Sequence, residues 1–162
     1  MSSIRAELSG DTDALLRRLN KLENLEIRGA LNSVAEGLRT STVERFTEEK
    51  SPQEEPWKPS IRAREEGGKT LTKTAQLKTS IRSEVSDSGL AVGTNDIRAA
   101  THQFGDERTI RAKNKKFLTF KIGGQWRRAV SVKVNIPPRP FLGISEQDEK
   151  DIKDTLEGVL EE

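Results

Sequence analysis

The fold is decided by residues 130–145, which read Val130-Ser131-Val132-Lys133-Val134-Asn135-Ile136-Pro137-Pro138-Arg139-Pro140-Phe141-Leu142-Gly143-Ile144-Ser145. In the first half of this stretch an apolar side chain occupies every second position. That pattern is typical of a β-strand with one buried face and one solvated face. Pro137 and Pro138 then end the strand, because proline has no backbone N–H to donate.

A helix is predicted to follow directly. Ser145 is placed to act as its N-cap, and Asp148 lies three residues later, at the acidic position of a capping box. Further acids in the first turn suit the positive end of the helix dipole. The helix has one apolar stripe, formed by Ile152, Leu156, Val159 and Leu160.

Two β-hairpins are predicted upstream. In the stronger one, residues 117–122 meet Gly123-Gly124, a dipeptide suited to a tight turn that needs positive φ, and the valine-rich strand lies beyond it. We therefore expect residues 106–136 to form a projecting hairpin arm. The weaker hairpin joins residues 81–85 to residues 90–92 through the turn Asp87-Ser88-Gly89.

The N-terminal part is predicted to be mainly helical. Residues 4–8 alternate as a short edge strand. A first helix then has the apolar face Leu15, Leu19 and Leu22. A longer helix has its apolar residues on one stripe, which consists of Ile27, Leu31, Val34, Leu38 and Phe46.

Three short segments connect these helices to the strands. Three prolines make residues 51–59 a loop, which Trp57 pins to the core. Residues 62–69 are predicted to be a mobile charged loop with a glycine hinge. Residues 71–81 are predicted to be a short amphipathic helix. The order of helices, antiparallel sheet and final helix gives the α+β class, in a single domain over residues 1–162.

Charge is unevenly distributed along the chain. Residues 106–139 hold ten lysines and arginines against two acids, whereas residues 146–162 hold eight acids against two lysines. The net charges are +8 and −6, although the whole chain has a net charge of +2. Such segregation favours oriented contacts with a polyanion or with copies of the same chain, and the alternative is two solvated faces that only maintain solubility.

The residue inventory argues against an enzyme. Gly67-Gly68-Lys69-Thr70 lacks the upstream glycine of a phosphate loop, and His102 is the only histidine. The chain has no cysteine, so thiolate metal sites and disulfides are excluded. We expect no catalytic residue, no cofactor, no metal and no small-molecule substrate. His102 is interpreted as a structural hydrogen-bonding residue.

A nucleic-acid interpretation remains open. Seven cations surround the predicted hairpin, and they could neutralise phosphates in a salt-dependent manner: Arg108, Arg111, Lys113, Lys115, Lys116, Arg127 and Arg128. No base-reading module accompanies them. The alternative function is therefore that of a basic protein that contacts DNA without sequence specificity during packaging.

The order of several short motifs resembles the phage virion morphogenesis (tail completion) family of Mu-like and P2-like phages. The resemblance rests on Phe46 with Pro52 and Trp57-Lys58-Pro59, on Leu71 to Ile81, on Val92-Gly93-Thr94, on Ala99 to Gly105 with its His102-Gln103 pair, and on Ile136 to Gly143. These motifs cover nearly the whole chain. Three positions depart from the family pattern: Glu54 and Ala75 replace glycines, and Arg98 replaces a tyrosine.

The resemblance implies a non-enzymatic structural protein of the head–tail junction, made in the host cytoplasm and retained in the virion. It implies a homo-oligomeric ring, expected to be hexameric, that contacts neck and tail proteins such as tail terminator or head-completion proteins. No apolar run approaches the roughly 20 residues of a membrane span. The predicted interface consists of Arg139, Phe141, Arg111, Lys113, Lys115, Lys116, Arg127, Arg128, Glu149, Asp151 and Asp154. For Phe141 the alternative is a plug in the core.

Overall fold

The computed structural model describes residues 27–86 and 89–161. The elements in these ranges are α1 (Ile27–Glu48), α2 (Ile61–Glu66), α3 (Gln76–Thr79), β1 (Arg82–Ser86), β2 (Gly89–Gly93), α4 (Ala99–Phe104), β3 (Asp106–Arg111), β4 (Leu118–Ile122), β5 (Gln125–Ala129), β6 (Ser131–Ile136) and α5 (Glu146–Glu161). The predicted edge strand at residues 4–8, the helix through Leu15, Leu19 and Leu22, and the turn residues Asp87 and Ser88 lie outside the described residues.

The α+β class is confirmed. The described strands form three two-stranded antiparallel sheets, which pair β1 with β2, β3 with β6, and β4 with β5. The prediction of one antiparallel sheet was therefore too simple. None of the helices in the described ranges is long and apolar enough to cross a membrane.

Helix α1 is the central packing element for the last helix and the first hairpin, because α5, β1 and β2 all lie on it. Its predicted stripe is confirmed in part. Val34 and Phe46 are buried, whereas Leu31 and Leu38 are half-buried. The buried face also contains residues that the apolar pattern did not identify, namely Ala30, Ala35, Thr42 and Arg45.

The hairpin of β1 and β2 is confirmed with the expected register. Ser83 lies opposite Val92, and Val85 lies opposite Leu90. These four side chains are half-buried, while their neighbours along β1 are exposed. Alternation of this kind places one face of the hairpin on α1 and leaves the other in water.

The long segment from β3 to β6 differs from the prediction in its pairing. The valine-rich strand β6 pairs with β3, from Asp106 opposite Ile136 to Arg111 opposite Ser131. Strand β4 pairs instead with β5 across the Gly123-Gly124 turn, where both glycines have positive φ, as predicted. We call residues 106–136 the basic ribbon. Its strand β3 had not been predicted, because the charged residues of Asp106–Arg111 hide the alternation.

Two connecting segments were predicted wrongly. The segment taken for a mobile loop is mostly helix α2, which begins after the N-cap Ser60 and ends at Gly67. The segment taken for an amphipathic helix contains only the single turn α3. Leu71 and Ala75 have positive φ and interrupt a longer helix. The buried side chains predicted there, Leu77 and Ile81, are confirmed.

The core is small and largely aromatic. It consists of Phe46, Trp57, Leu77, Ile81 and Phe141. The ring of Phe46 lies edge-on to Trp57 with centroids 5.5 Å apart, and its centroid lies 5.2 Å from that of Phe141. Such offset pairs add about 0.5–1.5 kcal/mol each to the free energy of burial.

Two of the three departures from the family pattern fall on backbone that favours glycine. Glu54 has φ of 63° and Ala75 has φ of 53°. A residue with a Cβ in this left-handed region costs roughly 1–2 kcal/mol. At both positions the backbone has the left-handed conformation that glycine favours, which corresponds to the glycines of the family pattern.

We expect Ala75→Gly to raise the free energy of unfolding by about 0.5–1 kcal/mol, because relief of the left-handed strain exceeds the extra entropy of the unfolded chain. Urea denaturation measures the change. Ala100→Gly, at an exposed position of α4 without positive φ, is the matched control and should lower stability by a similar amount. Equal losses in the two variants would contradict the prediction.

Candidate assembly interface

Residues 137–143 form an extended segment between β6 and α5, and side chains from α1, from the loop after it and from α4 hold it in place. Trp57 donates its indole N–H to the Pro140 carbonyl over 2.9 Å. The Arg139 guanidinium donates to the Lys58 carbonyl over 2.7 Å, and its backbone N–H donates to the His102 carbonyl over 2.7 Å. We call this segment and its hydrogen-bond partners the clamp.

Gln103 makes the most complete set of contacts in the clamp. Its Oε1 accepts from the backbone N–H groups of Phe141 and Leu142, each over 3.0 Å. Its Nε2 donates to the Leu142 carbonyl over 2.9 Å. A single side-chain amide thus forms hydrogen bonds with backbone N–H and C=O groups of the extended segment, as the backbone of a neighbouring strand would.

His102 contributes mainly through its backbone. Its carbonyl accepts from Arg139, but among the described residues its buried Nδ1 has no hydrogen-bond partner. Burial lowers the pKa of His102, the charges of Arg139 and Arg98 lower it further, and Asp96 acts in the opposite direction. The imidazole is therefore neutral near pH 7. The structural hydrogen bond of His102 is therefore made by its backbone carbonyl. Its ring Nδ1 makes no hydrogen bond to the described residues.

Arg98, the third departure from the family pattern, replaces an aromatic residue with a polar bridge. Its guanidinium donates to both Asp96 oxygens, over 2.9 and 2.5 Å, and to Gln76 Oε1 over 3.2 Å. These hydrogen bonds hold the pKa of Asp96 at about 2. The bridge joins α3 to the segment before α4.

Arg45 of α1 links the clamp to the last helix. Its Nη1 donates to the carbonyls of Phe141 and Gly143, each over 2.9 Å. Its Nη2 donates to Asp148 over 2.5 Å and to Ser41 over 3.1 Å. Both charged side chains are 6% exposed. This is therefore a buried ion pair in which each terminal nitrogen of the arginine donates two hydrogen bonds.

Asp148 serves two elements at once. Its Oδ2 accepts from the Ser145 backbone N–H over 2.8 Å, and Ser145 Oγ accepts from the Asp148 N–H over 3.1 Å. The predicted capping box is confirmed. Burial of the carboxyl acts to raise its pKa, but hydrogen bonds from Ser41 and Ser145 and the charge of Arg45 outweigh it, so the pKa of Asp148 is lowered.

Arg139 and Phe141, predicted as interface residues, lie inside the subunit. Arg139 is 5% exposed and Phe141 is fully buried against Phe46. In the described subunit both hold the fold, and neither offers a surface to a partner. For Phe141 the geometry corresponds to the alternative of a core plug.

The other predicted basic residues are all exposed on the basic ribbon. Its two acids are already paired, Asp106 with Arg108 over 3.1 Å and Glu107 with Lys133. Seven cations of the ribbon form no ion pair within the described part of the chain: Arg111, Lys113, Lys115, Lys116, Lys121, Arg127 and Arg128. Arg127 and Arg128 are consecutive in β5, so they point to opposite faces and do not form one patch.

The predicted acidic residues Glu149, Asp151 and Asp154 are exposed on α5. They do not form one patch either. Asp151 lines a groove with α1, whereas Glu149 lines a separate depression with residues 52–54. Within the described ranges no ion pair joins α5 to the basic ribbon. The two oppositely charged surfaces of one subunit therefore do not neutralise each other.

The Arg45–Asp148 pair was not predicted, although the position of Arg45 in the sequence indicated a buried partner. Arg45 follows Leu38 by seven residues and precedes Phe46, so it falls on the buried stripe of α1. A charged residue in that position requires a buried partner. Asp148 had been interpreted through its capping role alone.

Comparison with known proteins gives the family of the chain. The model of the phage virion morphogenesis family matches residues 10–161, which is nearly the whole chain. The chain belongs to this family. Its assignment to phage virion assembly, which the motifs had suggested, is therefore confirmed.

One curated relative supports the assignment. The chain is 35% identical over 94 residues to the Mu-like prophage FluMu G protein 2 of Haemophilus influenzae (strain Rd). The match covers 58% of this chain and 54% of the relative, so the chain spans about half the length of the curated protein it matches. No solved structure matches the chain significantly.

We expect Asp148→Asn to lower the free energy of unfolding at pH 7 by about 3–5 kcal/mol, because Arg45 would remain buried without its counter-ion. The folded-state pKa of Asp148 lies below the ordinary value of 3.8, so its contribution is present above that pH and is lost as the pH falls through the folded-state pKa. The difference in the free energy of unfolding between the variant and the unmodified protein should therefore become smaller below about pH 4.

Urea denaturation between pH 3 and pH 7 measures this difference. Asp151→Asn removes an exposed carboxylate one turn along α5 and is the matched control, with an expected change below about 0.5 kcal/mol. The double variant Arg45→Met with Asp148→Leu should be more stable than Asp148→Asn, since it leaves no unpaired charge. If the free energy of unfolding of Asp148→Asn were lower by the same amount at every pH, the ion pair would not be the cause of the loss.

Proposed function

We propose that this protein is a structural component of the virion that completes the tail and enables its union with the head. It acts at the head–tail junction as a homo-oligomeric ring, for which we expect six subunits. The observation that carries the proposal is the separation of charge on the subunit: an exposed basic ribbon and an exposed acidic helix, between which the described residues form no ion pair.

Separated charges of this kind support head-to-tail association. When different surfaces of identical subunits pair, the contact repeats around an axis and closes into a ring if the rotation permits. The basic ribbon of one copy and α5 of the next have opposite charge, so their contact is electrostatically favourable. Family membership supports the setting of this ring in a phage virion.

The clamp supports a structural role over a catalytic one. The family motifs around Trp57, Gln103 and Arg139 bind the chain's own backbone and core. Their side chains are engaged in holding residues 137–143 between β6 and α5. We propose that the clamp fixes the angle between the ribbon and the acidic helix, so that both surfaces meet their partners in neighbouring subunits.

The further partners that we propose are other neck and tail proteins, such as tail terminator or head-completion proteins. The protein would be assembled in the host cytoplasm and retained in the mature virion at the head–tail junction. A ring at that position encircles the DNA channel, so cations that are not used between subunits could contact passing DNA without reading its sequence.

A second candidate function is a DNA-associated role in packaging. The observation in its favour is the set of seven exposed cations on the basic ribbon that have no acidic partner among the described residues. If all seven met phosphates, log K for DNA would fall steeply with log salt, with a slope of about −6 for duplex DNA. DNA retention with this slope and no self-assembly would support the DNA function over the structural one.

We expect reversal of Glu149, Asp151 and Asp154 to Lys to weaken self-association by about ten- to hundredfold at low salt. Each exposed pair contributes roughly 0–1 kcal/mol, so only a multiple reversal has a measurable effect. Sedimentation velocity measures association, and circular dichroism should be unchanged because the three side chains are exposed.

The matched control reverses Glu48, Glu55 and Glu84, which are exposed acids outside α5, and so makes the same change in net charge. Its association should stay close to that of the unmodified protein. Equal weakening in both triple variants would attribute the effect to net charge. Undiminished assembly of the α5 variant would show that the acidic helix is not part of the interface.

The assigned role is tested in phage that lack the protein. An amber mutation in its gene should yield filled heads and complete tail tubes that remain unattached in negative-stain micrographs of the lysate. Supply of the protein in trans should restore joined particles. Normal virions without the protein, or empty heads caused by failed packaging, would contradict a tail-completion role.

A further inference from the structure

A groove of about 420 Å³ lies between α1 and α5. The apolar members of its lining, Val34, Leu38 and Ile152, are buried or half-buried, and we call them the apolar base. The lining also contains polar side chains at this depth, the half-buried Ser41 and Thr155. The exposed members include Glu44 and Asp151. The volume falls within the range of about 300–1,000 Å³ in which protein pockets bind organic groups, so the groove can receive an aromatic side chain.

The charge of the groove is negative. Its titratable lining residues are Glu36, Glu44, Asp148 and Asp151, and no lysine or arginine is among the described residues that line it. Glu36 is paired with Arg39 and Asp148 with Arg45. Glu44 and Asp151 form no ion pair within the described ranges. The groove therefore combines an apolar base with two carboxylates that lack cationic partners.

The tip of the basic ribbon has the complementary composition. Trp126 is 72% exposed and lies opposite Lys121 on one face of the β4–β5 hairpin. Thr119 and Arg128 form the next opposite pair on the same face, since side chains alternate along a strand. The exposed indole thus shares one face of the hairpin with two cations. Lys121 lies directly opposite Trp126, and Arg128 lies two residues further along β5.

We propose that the groove of one subunit receives the Trp126 face of the hairpin tip of the next subunit. The indole covers the apolar base, and Lys121 and Arg128 meet the carboxylates of Glu44 and Asp151. A buried aromatic residue flanked by cations has the composition in which the energy of protein interfaces concentrates. The inference rests on the self-assembly proposed above and names the surfaces that perform it.

The occupant has to come from another copy. In its own chain the turn at the tip lies against α2, where the Gly123 backbone N–H donates to Glu65 Oε1 over 3.2 Å. No residue of the basic ribbon lines the groove of its own subunit. Because tip and groove are different surfaces, their contact is heterologous and repeats from subunit to subunit, as a ring requires.

Cysteine crosslinking tests the contact without background, because the native chain has no cysteine. Thr40→Cys in the groove is mixed with Thr119→Cys, which shares the face of Trp126, and the mixture is oxidised mildly. We expect a disulfide-linked dimer between the two variants. Gln125→Cys is the matched control, since Gln125 is exposed on the other face of the hairpin and should crosslink several-fold less.

Sedimentation velocity of Trp126→Ala gives the second readout. Loss of a central aromatic anchor should weaken self-association by roughly 30-fold or more. Phe104→Ala removes another exposed aromatic side chain, 78% exposed and outside the ribbon, and should leave association unchanged. Trp126 emission should also shift to shorter wavelength when the unmodified protein assembles.

Several outcomes would overturn the proposal. Rings that form normally with Trp126→Ala, or equal crosslinking of Thr119→Cys and Gln125→Cys, would reject this contact but leave the proposed ring intact. A Thr40→Cys thiol already shielded from maleimide in the monomer would show that its own chain fills the groove. Failure of the unmodified protein to associate at any concentration or salt would reject both the contact and the proposed assembly function.

Discussion

The buried pair of Arg45 and Asp148 is the constraint on which the remaining structure depends. The arginine lies in the last turn of α1 and on its buried face, where a charge without a partner would be strongly unfavourable. Its guanidinium therefore fixes the first turn of α5 and the carbonyls of Phe141 and Gly143 at the same time. Two segments about one hundred residues apart in sequence are held in one geometry by this side chain.

The clamp extends that constraint to the rest of the subunit. Gln103 and Trp57 bind backbone groups of the extended segment, and Arg139 of the segment itself binds the Lys58 carbonyl in the loop after α1. The core itself is small, so directional hydrogen bonds determine much of how the ribbon and the last helix are oriented. The ring that we propose needs this orientation to be fixed, because an angular error at one contact would repeat at every other contact.

The separation of charge then has a structural explanation. The acids of the ribbon are neutralised by Arg108 and Lys133, and the one buried acid of α5 is neutralised by Arg45. The charges that remain are positive on the ribbon and negative on the helix, and the fold keeps the two surfaces apart. In the assembly that we propose, these two surfaces are the source of electrostatic complementarity between neighbouring copies.

The sequence by itself determined the features that depend on neighbours in the chain. The alternation in β6, the Gly123-Gly124 turn, the capping box of Ser145 and Asp148, and the family motifs were all readable, because their physical causes lie within a few residues. Only the tertiary structure decided the partner of β6, the burial of Arg139, and the pairing of Arg45 with Asp148. These features depend on contacts between residues that are far apart in the sequence. A charged strand such as β3 has no apolar alternation from which it could be predicted. The sequence around an arginine does not specify which distant acid will pair with it. The two charged surfaces were visible in the sequence, but their separation on the subunit follows from packing alone.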